Sequence, residues 1–175
     1  MVAVLVGLLA IGLLGAILWD AFETIILPRR VTRRYRLAAA YYRSIREPWY
    51  WIARRIQSAK RRESFLGIFG PLSVLMLFGV WAGGLILSFG MLQWADGSLL
   101  GDPATVHSFR TQLYLSGTSF FTLGLGDVVP HTPLGRFVTV AEAGMGFAFL
   151  AVVISYLPVL YGAFSRREAN IALME

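Results

Sequence analysis

Residues 118–131 read TSFFTLGLGDVVPH, and the six residues Thr122 to Asp127, TLGLGD, decide the fold. They interrupt a chain that is otherwise mostly apolar or basic. Glycines at 124 and 126 open backbone angles closed to residues with side chains, so an extended strand can turn successive carbonyls to one side. Four such strands around an axis stack rings of carbonyl oxygen able to replace the hydration shell of a cation, and Thr122 adds a hydroxyl ring at the inner end. One chain holds one such segment, so closing the rings requires a symmetric oligomer.

The surroundings of this segment are those of a membrane protein. Of the 175 residues, 57% are hydrophobic, 14% aromatic and only 15% charged, too little polar surface for a soluble domain of this size. Met1 to Trp19 and Phe65 to Ala95 contain no charged residue, and Phe137 to Phe164 contains Glu142 alone. A helical span needs about 20 mostly apolar residues, which predicts three transmembrane helices. The first stretch has no basic start and no small-residue cleavage site, so it reads as a retained span rather than a secretory signal. The absence of cysteine excludes disulfides and thiolate metal sites.

The charge distribution predicts the orientation. Of 16 Lys and Arg residues, 12 lie between Arg29 and Arg62. Spans bracket this run on both sides, which favours placement beside anionic lipid at the cytoplasmic face over nucleic-acid binding. The basic 28–64 connection and the tail from Ser165 are then cytoplasmic, while Met1 and the 96–134 connection lie outside. The expectation is a multi-pass protein of the plasma membrane with its N-terminus outside and its C-terminus in the cytoplasm.

Four regions follow: an N-terminal span over 1–27, a basic and aromatic interfacial segment over 28–64, a pore-forming unit over 65–164, and a tail over 165–175. Asp20 and Glu23 share a face at the end of the first helix. They read as interfacial acids reaching toward headgroups, or as partners of Arg29, Arg30 or a neighbouring subunit. In the basic segment Arg43, Arg46, Trp49, Trp51, Arg54 and Arg55 are lipid-interface candidates, and Pro48 is expected to split the segment into two helical pieces. It reads as a lipid sensor or gating lever, or as a passive linker. No span carries a repeating arginine, so no voltage sensor of that kind is present. Asp102-Pro103 opens a short helix expected from about Ala104 to Phe121, too short to span. It is expected to re-enter the membrane, where irregular backbone is tolerated only if protein buries it or water lines it.

A short helix, T-x-G-x-G-D and two flanking spans together resemble the pore loop and signature filter of potassium channels, whose usual form is TVGYGD. The form with an aliphatic residue at the tyrosine position followed by "DVVP" is similar to second pore loops of two-pore-domain potassium channels, and "PLGR" at 133–136 matches how many such channels begin the inner helix. The resemblance covers Phe65 to Phe164. It implies an all-α membrane protein, with three transmembrane helices, a re-entrant pore helix and a filter per subunit, assembled as a homotetramer around a central pore. It implies K+ coordination by Thr122, Leu123, Gly124 and Leu125, with Gly126 and Asp127 shaping the outer mouth. Leu125 departs from the family form, because its side chain lacks the hydroxyl that normally ties the filter to the pore helix. Tyr114 and Leu115 stand where paired aromatics are common.

The inner helix "FVTVAEAGMGFAFLAVVISYLPVLYGAF" suits a pore lining. Gly144 and Gly146 fall where a hinge glycine is often found, or else allow close helix packing. Pro158 frees a carbonyl near the cytoplasmic end. Phe147, Leu150 and Ile154 share a face with Pro158, forming an apolar lining able to gate by narrowing or dewetting, or packing against lipid and other helices. Glu142 is the one acid within a span and is expected behind the filter. There it would hydrogen-bond the pore helix through Thr118 or Ser119, so that Tyr114, Thr118, Ser119 and Glu142 together support the filter. His131 reads as a solvated loop residue or a site of external pH sensitivity.

The expected function is passive K+ conduction by a homotetramer. It involves no enzymatic step, no cofactor beyond the permeant ion, no nucleic acid, and anionic membrane lipid as a neighbour. The competing readings are a channel that also passes Na+, a potassium transporter subunit, and a membrane scaffold or enzyme in which TLGLGD is only a turn. The transporter reading needs four pore repeats where this chain has one. The enzyme reading lacks any nucleophile or metal cluster.

Overall fold

A computed structural model describes residues 1–26, 37–97 and 108–172. Five helices follow in order: α1 Val2–Ile26, α2 Leu37–Arg54, α3 Ala59–Asp96, α4 Phe109–Phe120 and α5 Pro133–Ala172. Among the described residues the regular structure is all helix, and α1, α3 and α5 are each long and apolar enough to cross a membrane. Arg29 and Arg30, offered above as partners of Asp20 and Glu23, and Asp102 and Pro103, expected to open the short helix, lie outside the described residues.

Helix α3 is the post on which the others pack, meeting every one of them. At 38 residues it extends about 57 Å, nearly twice the roughly 30 Å hydrocarbon thickness, so it continues well past one apolar boundary. Apolar contact gains little inside lipid, since the tails are as apolar as leucine. Helix pairing there depends on small residues that let backbones close in and on hydrogen bonds that cannot be left unmade. Both devices are present. Gly7 faces Ala95, Gly84 lies under Ile17, and a Cβ on Gly90 would come within 3.3 Å of the Leu113 backbone, which fixes α1 and α4 on α3.

The acids at the end of α1 differ from expectation. Asp20 and Glu23 are 5% and 6% exposed, so neither reaches toward headgroups. The Asp20 carboxylate accepts hydrogen bonds from the Trp81 indole Nε1 of α3 at 3.0 Å and from the Ala38 backbone N–H at 3.1 Å. The second donor is one of the unsatisfied amides of the first turn of α2, and the positive end of that helix favours the carboxylate. Trp19 Nε1 donates to Glu23 at 3.0 Å. Asp20 therefore joins three helices at one point, a long-range arrangement that i, i+3 spacing does not reveal.

Helix α2 runs antiparallel along the Ala59-proximal part of α3. Ala38 lies level with Trp81, the Tyr41 hydroxyl donates to the Ser73 carbonyl at 2.9 Å, and Trp49 stacks on Phe65 at 4.3 Å. Pro48 does not divide it: Leu37–Arg54 is one helix with the proline inside. The Tyr41 and Trp49 ties on either side of Pro48 hold the helix to α3 through the missing backbone bond. Similarly, α3 begins at Ala59, before the expected Phe65, and passes through Pro71. Helix α5 passes through Pro158 and reaches Ala172, beyond the expected end of the pore-forming unit.

Candidate functional site

Helix α4 has 12 residues, about 18 Å, and does not span. The backbone that follows winds back onto its C-terminal end. Phe121 N–H donates to the Gly117 carbonyl, Thr122 N–H to Ser119 at 3.0 Å and Leu123 N–H to Thr118 at 2.8 Å. These bonds satisfy carbonyls that a helix end leaves open. Thr118 and Ser119 thus hold the start of TLGLGD through their backbone oxygens, while the Thr118 hydroxyl donates to the Leu115 carbonyl.

Within TLGLGD, φ is +56° at Thr122, +56° at Gly124 and +77° at Gly126, with Leu123 and Leu125 between them outside this region. Thr122 is the one non-glycine residue with positive φ among those described. For a side-chain-bearing residue that conformation costs about 1–2 kcal/mol, so the surrounding structure must hold it. Handedness that alternates residue by residue has a geometric consequence. It turns every second peptide over, so carbonyls that would alternate in a β-strand fall on one side. Phe121 to Asp127 is exposed throughout in the single chain, with Leu123 and Leu125 at 61%.

Leu125 cannot brace this loop by hydrogen bonding, but Tyr114 does. Its hydroxyl donates to Asp127 Oδ2 at 2.9 Å, joining the middle of α4 to the far end of TLGLGD. The bond holds the phenol above its ordinary pKa of 10.0, chiefly because the Asp127 carboxylate favours the protonated donor. Beyond the loop, the Thr132 hydroxyl contacts Asp96 at the end of α3, and Gly135 N–H donates to Thr132 at 2.9 Å as α5 begins. His131 is exposed.

Behind α4, Glu142 is fully buried. Its partners are not Thr118 or Ser119. The Ser116 hydroxyl of α4 contacts Glu142 Oε1, and Gln93 Nε2 of α3 donates to Oε2 at 3.0 Å. Ser116 Oγ also lies 2.7 Å from the Ile86 carbonyl oxygen. Thr118 lies off the buried face of α4 that carries Ser116, and Ser119, which is on that face, stands one turn further along the helix toward the loop. Gly146, one turn on from Glu142, sits against the end of α4, where a Cβ would stand 1.8 Å from the Phe120 carbonyl oxygen. Gly144 has nothing within 4 Å of that position. The flank of α5 turned away from α3 and α4 carries exposed Val140, Phe147 and Ile154, with Leu150 half-buried and Pro158 exposed.

A family model described as ion channel matches residues 72–161, from within α3 through α4 and TLGLGD to α5. The chain belongs to the ion channel family. This domain is of the two-transmembrane type, and the membership sets aside the reading as an enzyme. The channel is similar to the uncharacterized membrane protein YdjJ of Bacillus subtilis (strain 168), at 24% identity over 123 residues, which are 69% of this chain and 36% of that protein. It is also similar to protein LctB of Geobacillus stearothermophilus, at 31% identity over 85 residues, 43% of this chain and 63% of that protein. The chain thus spans less than two thirds of either relative. No solved structure matches it.

Three supporting residues went unread in the sequence. Gln93 and Ser116 are polar residues facing one another from helices packed in lipid, and a polar side chain near the end of an apolar run is a signal that could have found Gln93. Trp81 is an aromatic within the second apolar run. Its indole N–H needs a partner when buried, and the Asp20 carboxylate supplies it.

Proposed function

We propose that this ion channel is a potassium-selective homotetramer, in which four copies of TLGLGD surround the axis and conduct K+ passively without a voltage sensor. The observation that carries this reading is the alternating positive φ at Thr122, Gly124 and Gly126. In a ring of four, that backbone aims the oxygens of Thr122, Leu123, Gly124 and Leu125 at the axis, where they replace the water around a dehydrated cation. Gly126 and Asp127 form the mouth, and Tyr114 ties it to α4. The C-terminal ends of four α4 helices add partial negative charge below the filter. The bare TLGLGD segment and the exposed apolar flank of α5 supply surfaces for neighbouring subunits and for a lining of Phe147, Leu150 and Ile154. Gly144 and Pro158 lie where that lining can bend, and Gly146 belongs to the packing against α4.

The permeant ion is K+, with no other cofactor, and nucleic acid is not a partner. The arginines of the 28–64 region support a plasma-membrane orientation with Met1 outside and the C-terminus in the cytoplasm, beside anionic lipid. A second reading, a channel that also passes Na+, is favoured by Leu125, which lacks the hydroxyl brace. Flux through purified protein in liposomes tests both. K+ flux exceeding Na+ flux, abolished in an assembled Gly124→Ser variant, supports potassium selectivity. Equal fluxes support the second reading, and a monomer without flux overturns both.

A further inference from the structure

Gln93 of α3 and Gln112 of α4 are both fully buried within the single chain. A neighbouring subunit therefore cannot reach them, and whatever satisfies their amides lies inside the chain. Contacts of Ser116 with Ile86 and of Leu113 with Gly90 run α3 and α4 antiparallel. Gln112 stands one turn before Ser116 on the buried face of α4, and Gln93 one turn after Gly90. Helical side chains lean toward the N-terminus of their own helix, so in this antiparallel pair the two amides converge. Helix α5 closes the junction, where Gln93 Nε2 lies 3.0 Å from Glu142 Oε2 and 3.5 Å from Thr139 Oγ1.

Hydrogen-bonding groups outnumber partners at this junction. Gln112 Nε2, Gln112 Oε1 and Gln93 Oε1 are buried, and among the described residues none of them has a partner. Turning the side chains does not cure this. If Gln112 Nε2 donates to Gln93 Oε1, Gln112 Oε1 still needs a hydrogen. Ser116 has a single hydrogen for the Ile86 carbonyl and Glu142 Oε1, and the Thr139 hydroxyl donates to the Gly135 carbonyl at 2.8 Å. The missing donor must therefore come from outside this set of side chains. A cation would meet the amide oxygens and repel the N–H, and an anion would do the reverse. Water both donates and accepts, and a buried water makes about three hydrogen bonds to groups of this kind. The oxygen and the nearer N–H of a primary amide lie side by side. One water can accept from Gln112 Nε2, donate to Gln112 Oε1, and turn its second hydrogen to Gln93 Oε1.

We infer that one water molecule is bound between Gln112 and Gln93, as a fixed part of the junction that holds α4. It backs the helix that leads into TLGLGD on the face opposite Tyr114, so the loop is supported by hydrogen bonds from both sides of α4. The inference rests on the packing of α3, α4 and α5 and not on what the loop conducts, so it is tested by hydration rather than by flux.

The chain has three glutamines, Gln57, Gln93 and Gln112, so nitrogen-15 glutamine labelling reports on three side-chain amides alone. In the full-length protein in lipid vesicles, solid-state NMR measures magnetisation transfer from water to each, with signals assigned by their disappearance from Gln57→Asn and Gln112→Met variants. Gln57 is exposed and serves as the reference for bulk solvent. The Gln112 amide is expected to receive magnetisation from water, yet to exchange its hydrogens into deuterated water far more slowly than Gln57. Gln112→Met removes two of the three bonds to the water, so transfer to Gln93 should fall and the variant should melt below wild type. No transfer to Gln112 in the unsubstituted protein overturns the inference. So does exchange at Gln112 as fast as at Gln57, which would open the junction to bulk solvent. Unchanged transfer to Gln93 in Gln112→Met also overturns it, as does a higher melting temperature for that variant, the sign of an unmet polar group removed from a dry junction.

Discussion

Gly146 and Gly144 lie two residues apart on α5, and the same substitution should have opposite effects at the two. A methyl group on Gly146 would stand 1.8 Å from the Phe120 carbonyl oxygen and 2.7 Å from its carbon, against an ordinary contact of 3.4 Å or more. The obstacle is backbone, so no rotamer relieves it, and α5 must move off the end of α4 by about 1.6 Å at ordinary contact distance. Overpacking of this kind costs about 1–3 kcal/mol. One turn away, the movement also strains the buried contact between Glu142 and Ser116, adding about 1–3 kcal/mol if it is lost. Alanine returns about 1 kcal/mol through helix propensity. Gly146→Ala should therefore lose about 1–5 kcal/mol and lower the melting temperature of the detergent-solubilised protein by about 10 °C. Gly144→Ala, which meets nothing within 4 Å, should melt at or slightly above the wild-type temperature. Equal melting of Gly146→Ala and wild type, or equal damage by the two substitutions, would refute the account of α4 and α5 packing.

Other substitutions probe the remaining ties. Tyr114→Phe removes the bond to Asp127 and should reduce sustained K+ flux in liposomes while leaving the assembly intact on gel filtration. Because the phenol is held above its ordinary pKa of 10.0, the bond is complete below that pH and is lost as pH rises through the raised value. The flux difference between Tyr114→Phe and wild type should thus be constant over about pH 7–9, and a difference that disappears within that window contradicts the assignment. Glu142→Gln retains a donor and an acceptor for Ser116 and Gln93 and should fold. Glu142→Leu takes the carboxyl partner from Gln93 and leaves Ser116 only the Ile86 carbonyl, costing about 1–3 kcal/mol in thermal unfolding, and equal melting of the two variants would count against the buried network. Asp20→Ala and Trp81→Phe remove opposite ends of one hydrogen bond, so their stability losses should be non-additive by about 0.5–3 kcal/mol in a double-mutant cycle. Simple additivity would dissociate them.

The elements were legible in the sequence where the signal is local. Three long apolar runs gave three spans, and T-x-G-x-G-D with a short preceding helix gave the loop and its place between α3 and α5. What escaped depends on helix rotation and on contacts far apart in the chain. Glu142 was assigned a supporting position from its depth alone, but which hydroxyl of α4 faces it depends on how that helix is turned and how far along it the residue stands, and Ser116 rather than Thr118 or Ser119 does so. Pro48 looked like a break because the missing amide is a local cost, whereas the ties through Tyr41 and Trp49 that outweigh it come from another helix. Asp20 and Glu23 looked interfacial because the span seemed to end there. The indole of Trp81 and the first turn of α2 provide Asp20 with an interior site. Tyr114 was noted as half of an incomplete aromatic pair, but its bond to Asp127 crosses 13 residues and requires the loop to fold back along α4.

The most direct test of the central claim is the reversal potential of the purified channel in a planar bilayer with K+ on one side and Na+ at equal concentration on the other. Four TLGLGD segments offering backbone oxygens at the axis predict a potential displaced far from zero toward the K+ equilibrium, and no current from an assembled Gly124→Ser variant. A reversal potential near zero, with Na+ carrying current as readily as K+, would contradict the claim that this loop is a potassium-selective filter.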